Sequence, residues 1–152
     1  MYDNWAANCM VVAATLAAIT LSVLVHYEGL LLVSRNLASV GGPRRIKVLY
    51  GILSMLALHV VEIWIFGIAL WLLLQWPACG EIVGGVIPIT AVGFLDSVYF
   101  SAMTYATVGF GDVVPLGPIR FLAGTEGLVG LMMIGWSASF TYLEMERFWR
   151  GR

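Results

Sequence analysis

The chain has 152 residues, 61% of them apolar and 11% charged, against about 45–50% and 25% in ordinary globular domains. That balance leaves little room for a water-soluble domain and reads as a membrane protein. The formal net charge is −1; no basic stripe exists beyond the segments that flank the apolar runs, so nucleic-acid binding has no support.

The first apolar run extends from about Trp5 to Val33, with no charge between Asp3 and Glu28. No Lys or Arg precedes it and it is too long for the apolar region of a secretory signal, so it reads as a retained span. The second run goes from about Val48 to Trp76 and carries one charged residue, Glu62. The third goes from about Phe121 to Leu143 and also carries one, Glu126. Each meets the length criterion of about 20 apolar residues. Between the second and third lies a Gly- and Pro-containing stretch, Pro77 to Pro118. No internal repeat or low-complexity tract appears.

Lys and Arg give an orientation. Arg35, Arg44, Arg45 and Lys47 fill the connection between the first two runs, and Arg147, Arg150 and Arg152 follow the third. Only Arg120 lies elsewhere, at the mouth of the third run. The positive-inside rule puts the 34–47 connection and the C-terminus in the cytoplasm and the N-terminus outside. The 77–118 stretch then enters from the outer side. Within it, Asp96 precedes the apolar-aromatic segment Ser97 to Tyr105 and is expected to be a helix N-cap. About nine helical residues reach roughly 13 Å, halfway into a bilayer, with the negative end of the helix dipole directed inward.

The segment ends in Thr107-Val108-Gly109-Phe110-Gly111-Asp112. Thr-Val-Gly-aromatic-Gly between two spanning helices resembles the pore loop of the tetrameric potassium channel superfamily, and the resemblance covers roughly residues 48 to 143. It implies a filter in which the carbonyls of Thr107, Val108, Gly109 and Phe110 and the Thr107 hydroxyl replace the water around a dehydrated K⁺. Gly111 resembles the outer glycine, Asp112 the acidic residue of the outer mouth, and Pro115 a proline found just past the filter. One loop cannot enclose an ion, so the resemblance implies a cyclic homotetramer. Two positions depart from the commonest pattern. Phe110 stands for Tyr and Ala106 for Thr, which removes two hydroxyls that could brace the filter.

The third run then corresponds to the pore-lining helix. It contains Gly124, Gly127, Gly130 and Gly135. These read either as close packing through small residues or as a hinge at Gly130 or Gly135. Ser137, Ser139 and Thr141 read either as the lining of a wetted cavity or as bonded back to their own helix.

His26 and Glu28 in the first run, His59 and Glu62 in the second and Glu126 in the third are ionisable residues inside spans. A central acidic residue costs about 2.5–3.5 kcal/mol on insertion scales, so each carboxylate needs protein or water around it. His59 and Glu62 are three apart and share a face. His26 and His59 lie at depths of about 13 and 18 Å from the cytoplasmic edge. The group reads either as a satisfied hydrogen-bond cluster or as a proton- or metal-responsive gate. Glu126 falls near the level of the pore helix and reads as a brace behind the filter.

Cys9 and Cys79 both fall near the outer face, in a compartment that permits a disulfide, and read as two apolar, unpaired thiols rather than as a bridge. The first run has no ladder of basic residues, so no voltage sensor is expected, and the nine residues after Leu143 hold no ligand-binding domain. Val25-His26-Tyr27-Glu28, His59-Val60-Val61-Glu62-Ile63-Trp64 and residues 136–144 look like segments of small bacterial ion-channel-like proteins, which suggests the inner membrane. No nucleophile–base constellation suggests an enzyme, and no cofactor is expected beyond K⁺ as permeant ion.

The expected architecture is therefore an all-α membrane protein with three transmembrane helices and a re-entrant pore helix and filter between the second and third. A peripheral helix and cytoplasmic connection occupy 1–46, the pore domain 47–146 and a short cytoplasmic tail 147–152. The expected function is a K⁺-selective channel in the lipid bilayer. The alternatives are a non-conducting scaffold or regulatory subunit and a weakly selective cation channel.

Overall fold

The computed structural model describes residues 4–39, 41–84 and 93–150, apart from the side chains of 38 and 148–150. Part of the Pro77–Pro118 stretch, residues 85–92, lies outside the described residues, as do Asp3, Arg152 and the Arg150 side chain. Four helices and a two-stranded ribbon follow in chain order: α1 (Trp5–Ser39), α2 (Arg44–Leu73), β1 (Glu81–Gly84), α3 (Phe94–Tyr105), β2 (Val113–Leu116) and α4 (Arg120–Arg150).

α1, α2 and α4 are long and apolar enough to cross a membrane, over 33, 30 and 28 residues. At 1.5 Å per residue they measure about 42–50 Å, more than the roughly 30 Å of hydrocarbon they must cross. The surplus carries the polar ends, and for this reason α1 runs on past Val33 through Ser34, Arg35 and Asn36. The connection at Gly41-Gly42-Pro43 is tight: Gly42 takes φ +103 and Pro43 occupies the N-cap of α2. α1 and α2 thus form an antiparallel pair, close enough that a Cβ on Gly29 would lie 2.6 Å from Leu58 Cδ1.

α2 ends at Leu73 and passes through a short 3₁₀ turn, Pro77–Cys79, into β1. β1 pairs antiparallel with β2, with Glu81 opposite Leu116 and Gly84 opposite Val113. The ribbon was not anticipated from the all-helical sequence pattern. Its base closes where Gly80 and Gly117 meet: both have positive φ, and a Cβ on Gly117 would lie 3.0 Å from Gly80 Cα. The Ile119 amide donates to the Cys79 carbonyl at 2.9 Å and fastens the start of α4 to the end of α2.

α3 packs between α2 and α4. A Cβ on Gly67 would lie 2.9 Å from Val98 Cα, so α2 and α3 touch backbone to backbone there. The expectation for Asp96 is corrected in detail. α3 begins at Phe94 with Gly93 as N-cap, and Asp96 sits in the first turn, accepting the Gly93 amide at 2.8 Å. A carboxylate there satisfies one orphan donor and meets the positive end of the helix dipole. With 12 residues, α3 is about 18 Å long, one turn longer than expected.

The core gathers where the helices converge. Phe66 and Leu70 of α2, Tyr105 of α3, and Ile119, Leu122 and Val129 at and within α4 are buried together with Val11 of α1. Leu16, Leu24, Leu53, Leu56, Leu128, Leu131 and Met132 stay exposed on the outside of the long helices.

Candidate functional site

The end of α3 sets up the candidate filter. Thr107 N–H donates to Thr104 O at 3.0 Å and Val108 N–H to Met103 O at 2.9 Å. These are the two bonds of a Schellman termination with Thr107 in the left-handed position. That position usually holds Gly, yet here it is a β-branched residue at φ +56, which costs about 1–2 kcal/mol. Backbone strain of this kind concentrates at functional segments. Beyond Thr107 the sign of φ alternates: Gly109 and Gly111 are positive, at +52 and +76, and Val108 and Phe110 are not. In an ordinary strand successive carbonyls face opposite ways; a φ that changes sign at each residue lets them face the same way. Residues 106–112 are exposed on the single chain.

Polar contacts that the sequence did not disclose hold this turn. The Tyr99 hydroxyl of α3 donates to Asp112 Oδ2 at 2.7 Å, and Asp112 Oδ1 accepts its neighbour's amide, Val113 N–H, at 3.1 Å. That hydrogen bond, helped by a smaller desolvation, holds the Tyr99 phenol above its ordinary pKa. Behind α3, Ser101 Oγ bonds both to Ile63 O at 2.8 Å and to Glu126 Oε1 of α4. Glu126 is fully buried, and its Oε2 has no partner among the described residues. Tyr99 and Ser101 tie α3 to its surroundings, in a region where Phe110 and Ala106 carry no hydroxyl.

The third assembly lies at the C-terminal end of α3. Glu62 of α2 is fully buried, as is His26 of α1. His26 Nδ1 lies 2.7 Å from Glu62 Oε1, and His59 Nδ1 lies 3.1 Å from Glu62 Oε2. The Tyr105 hydroxyl donates to the same Oε2 and stands 3.0 Å from His59 Nδ1. Ser137 of α4 reaches His26 Nε2 at 3.5 Å, and Trp136 lies beside the His26 ring, centroids 5.1 Å apart. Three helices therefore meet at one carboxylate, and α4 joins them through His26. Tyr105 is two residues before Thr107, so this knot is chained directly to the candidate filter.

The structure does not bring every sequence candidate together. Glu28 lies on an exposed face of α1, outside the cluster of His26, His59 and Glu62. Glu126 belongs to the separate contact with Ser101. Gly130 meets the backbone of Tyr105, where a Cβ would lie 2.8 Å from the carbonyl carbon and collide with its oxygen, whereas Gly135 faces open space. Ser139 is bonded back to Gly135 O at 3.0 Å. Both cysteines are free thiols, Cys9 exposed and Cys79 buried, and burial pushes the Cys79 thiol up. Tyr99, Ser101 and Tyr105 were missed as site residues. Their spacing held a signal, since Ser101 and Tyr105 lie four apart on one face of α3.

The ion-channel family model matches residues 47–145. The inward rectifier potassium channel Kirbac3.1 of Paramagnetospirillum magnetotacticum is 33% identical over 75 residues, covering 49% of this chain and 24% of that protein. Protein LctB of Bacillus caldotenax is 53% identical over 38 residues, covering 25% and 28%. Protein LctB of Geobacillus stearothermophilus is 32% identical over 99 residues, covering 52% of this chain and 74% of the relative. The chain spans about a quarter of the length of the first two relatives. No solved structure matches. A match that extends from the start of α2 almost to the end of α4, joined to three helices able to cross a membrane, makes this chain a multi-pass membrane protein that belongs to the ion-channel family and the potassium channel superfamily.

Proposed function

We propose that the chain forms a K⁺-selective channel in which four copies bring residues 107–111 together around one axis. The observation that carries this reading is the alternation of φ through Thr107, Gly109 and Gly111, directly after a helix of 12 residues. Four such strands would present stacked rings of carbonyl oxygens, with the Thr107 hydroxyl at the inner end, in place of the ion's hydration shell. α3 would be re-entrant, with its C-terminal dipole end beneath the filter, and Asp112 would stand at the outer mouth. Exposure of the whole 106–112 turn on a single chain supports assembly, because irregular backbone at membrane depth persists only against protein or a wet pathway.

In this reading 47–146 is the pore domain and α1 a peripheral helix that packs against it. The charge distribution supports an outside N-terminus and a cytoplasmic C-terminus in the inner membrane of a bacterial cell. Transport is passive and involves no covalent step, so the protein is not an enzyme. The similarity to an inward rectifier potassium channel supports K⁺ as the ion.

Potassium flux from vesicles reconstituted with the purified protein tests the proposal. Barium-sensitive K⁺ release is expected from wild type and is expected to disappear in Gly109→Ala, whose φ of +52 an L side chain tolerates poorly. A folded tetramer that releases no K⁺ would favour a non-conducting scaffold instead.

A further inference from the structure

We propose that His26, His59, Glu62 and Tyr105 form a binding site for a transition-metal dication of the zinc class, which joins α1, α2 and α3 at the inner end of the filter. The inference is independent of ion selectivity. It rests on donors that already converge: one ring nitrogen each of His26 and His59 and one Glu62 oxygen all lie within 4.8 Å of one another, and in both rings Nδ1 is turned to the carboxylate. The Tyr105 oxygen, 3.0 Å from His59 Nδ1 and bonded to Glu62 Oε2, supplies a fourth.

Zinc binds imidazole nitrogen at about 2.0–2.1 Å and carboxylate oxygen at about 2.0–2.2 Å, which places neighbouring donors of a tetrahedron about 3.3 Å apart. The nitrogen–oxygen separations here are 2.7 and 3.1 Å. An ion would therefore have to part each of these two pairs by up to about half an ångström and move the Tyr105 oxygen further from Oε2, while donors lying up to 4.8 Å apart close in, all by side-chain rotation. The donors sit on rigid helices rather than on loops, with His59 and Glu62 one turn apart on α2.

The protons can be accounted for. Without metal, each imidazole carries hydrogen on Nδ1 and donates it to Glu62, and the Ser137 hydroxyl donates to His26 Nε2. With metal, each neutral ring moves its hydrogen to Nε2 and offers the Nδ1 lone pair. His26 Nε2–H then donates to Ser137 Oγ at its present 3.5 Å, the kind of outer contact that orients metal-bound histidine. The phenol proton of Tyr105 leaves to solvent. A dication facing one carboxylate and one phenolate has no net charge, which suits a site inside a bilayer. His59, whose side chain is 16% exposed, offers the way in.

Occupancy would lock the end of α3, two residues before Thr107, to the two outer helices. The test is titration of the purified full-length protein in detergent with Co²⁺, read by the intense visible absorption of four-coordinate cobalt and reversed by Zn²⁺. One Co²⁺ per chain is expected. Replacing a ligand should weaken binding by more than about 100-fold in His59→Gln and His26→Gln, since loss of an outer contact alone costs about 10–100-fold. Ser137→Ala should lie in that lower range. His59 is the most exposed of the four, so His59→Gln is the variant expected to stay folded, and size-exclusion checks that it does. Absence of the four-coordinate spectrum in folded wild type, or unchanged affinity in His59→Gln, overturns the site. Unchanged affinity in Tyr105→Phe overturns the four-donor arrangement.

Discussion

Gly130→Ala should destabilise the protein, and the structure sets the size of the effect. A Cβ at this position would lie 2.8 Å from the Tyr105 carbonyl carbon and 3.0 Å from its Cα, and closer still to the oxygen. These are backbone atoms at the end of α3, so no flexible side chain can turn away. α4 and α3 must part by roughly half an ångström or more in a close-packed interior. Overpacking of this kind costs about 1–3 kcal/mol, while replacing Gly by Ala within a helix returns up to about 1 kcal/mol. Gly135→Ala collects the second term without the first, because nothing among the described residues lies within 4 Å of its Cβ. The two variants should therefore differ by about 1–3 kcal/mol. Thermal melting of the detergent-solubilised proteins, followed by loss of the assembled peak on size-exclusion, reads this difference. Equal melting of the two variants would refute the claim that Gly130 is the contact point between α4 and the end of α3. The packing explanation of Gly130 also separates it from Gly135, which alone keeps the freedom a hinge would use.

Other expectations follow from the same contacts. Ser101→Ala should cost about 1–3 kcal/mol, because it leaves the buried Glu126 carboxyl with neither oxygen bonded among the described residues; Ser101→Thr, which keeps the hydroxyl, should recover part of the loss in the same melting assay. Tyr105→Phe removes one donor to Glu62 but leaves both histidines in place, so a loss of about 1–2 kcal/mol is expected. A loss no greater than that of an exposed substitution would show the hydroxyl to be idle. Burial raises the Cys79 thiol above its ordinary pKa, so alkylation at neutral pH should be slow until the protein is denatured. Rapid labelling of Cys79 in folded protein, read by mass spectrometry, would contradict the packing of the 3₁₀ turn against α1.

Much of the architecture was legible in the sequence because bilayers impose a length and polarity criterion that few other folds satisfy. The three spans announced themselves through apolar runs. Their ends moved because hydropathy stops where charge begins, whereas hydrogen-bonded helix continues through Ser34 to Ser39 and Glu144 to Arg150. The ribbon was not legible: two four-residue strands hold too few residues for a period-2 pattern to emerge. His59 and Glu62 could be paired from spacing alone. Tyr105 could not, since 43 residues separate it from Glu62 and only the packing of α3 between α2 and α4 brings them together. Glu28 shows the opposite failure. Two residues from His26 in sequence, it points about 200° away around the helix, and so misses the cluster that His26 enters.

The Schellman termination at Thr107 was also invisible, because its usual mark is a glycine and the chain has threonine there. Holding threonine at positive φ has a cost that a mere turn would avoid by using glycine. Its presence is consistent with selection of the hydroxyl and carbonyl at that position rather than of the turn.

The central claim, that residues 107–111 select K⁺, meets its most direct test in the reversal potential of reconstituted protein under mixed K⁺ and Na⁺. The account predicts a reversal potential close to the K⁺ equilibrium value, with selectivity lost in Gly109→Ala if any conductance remains. A wild-type reversal potential showing near-equal permeability to K⁺ and Na⁺ would contradict it.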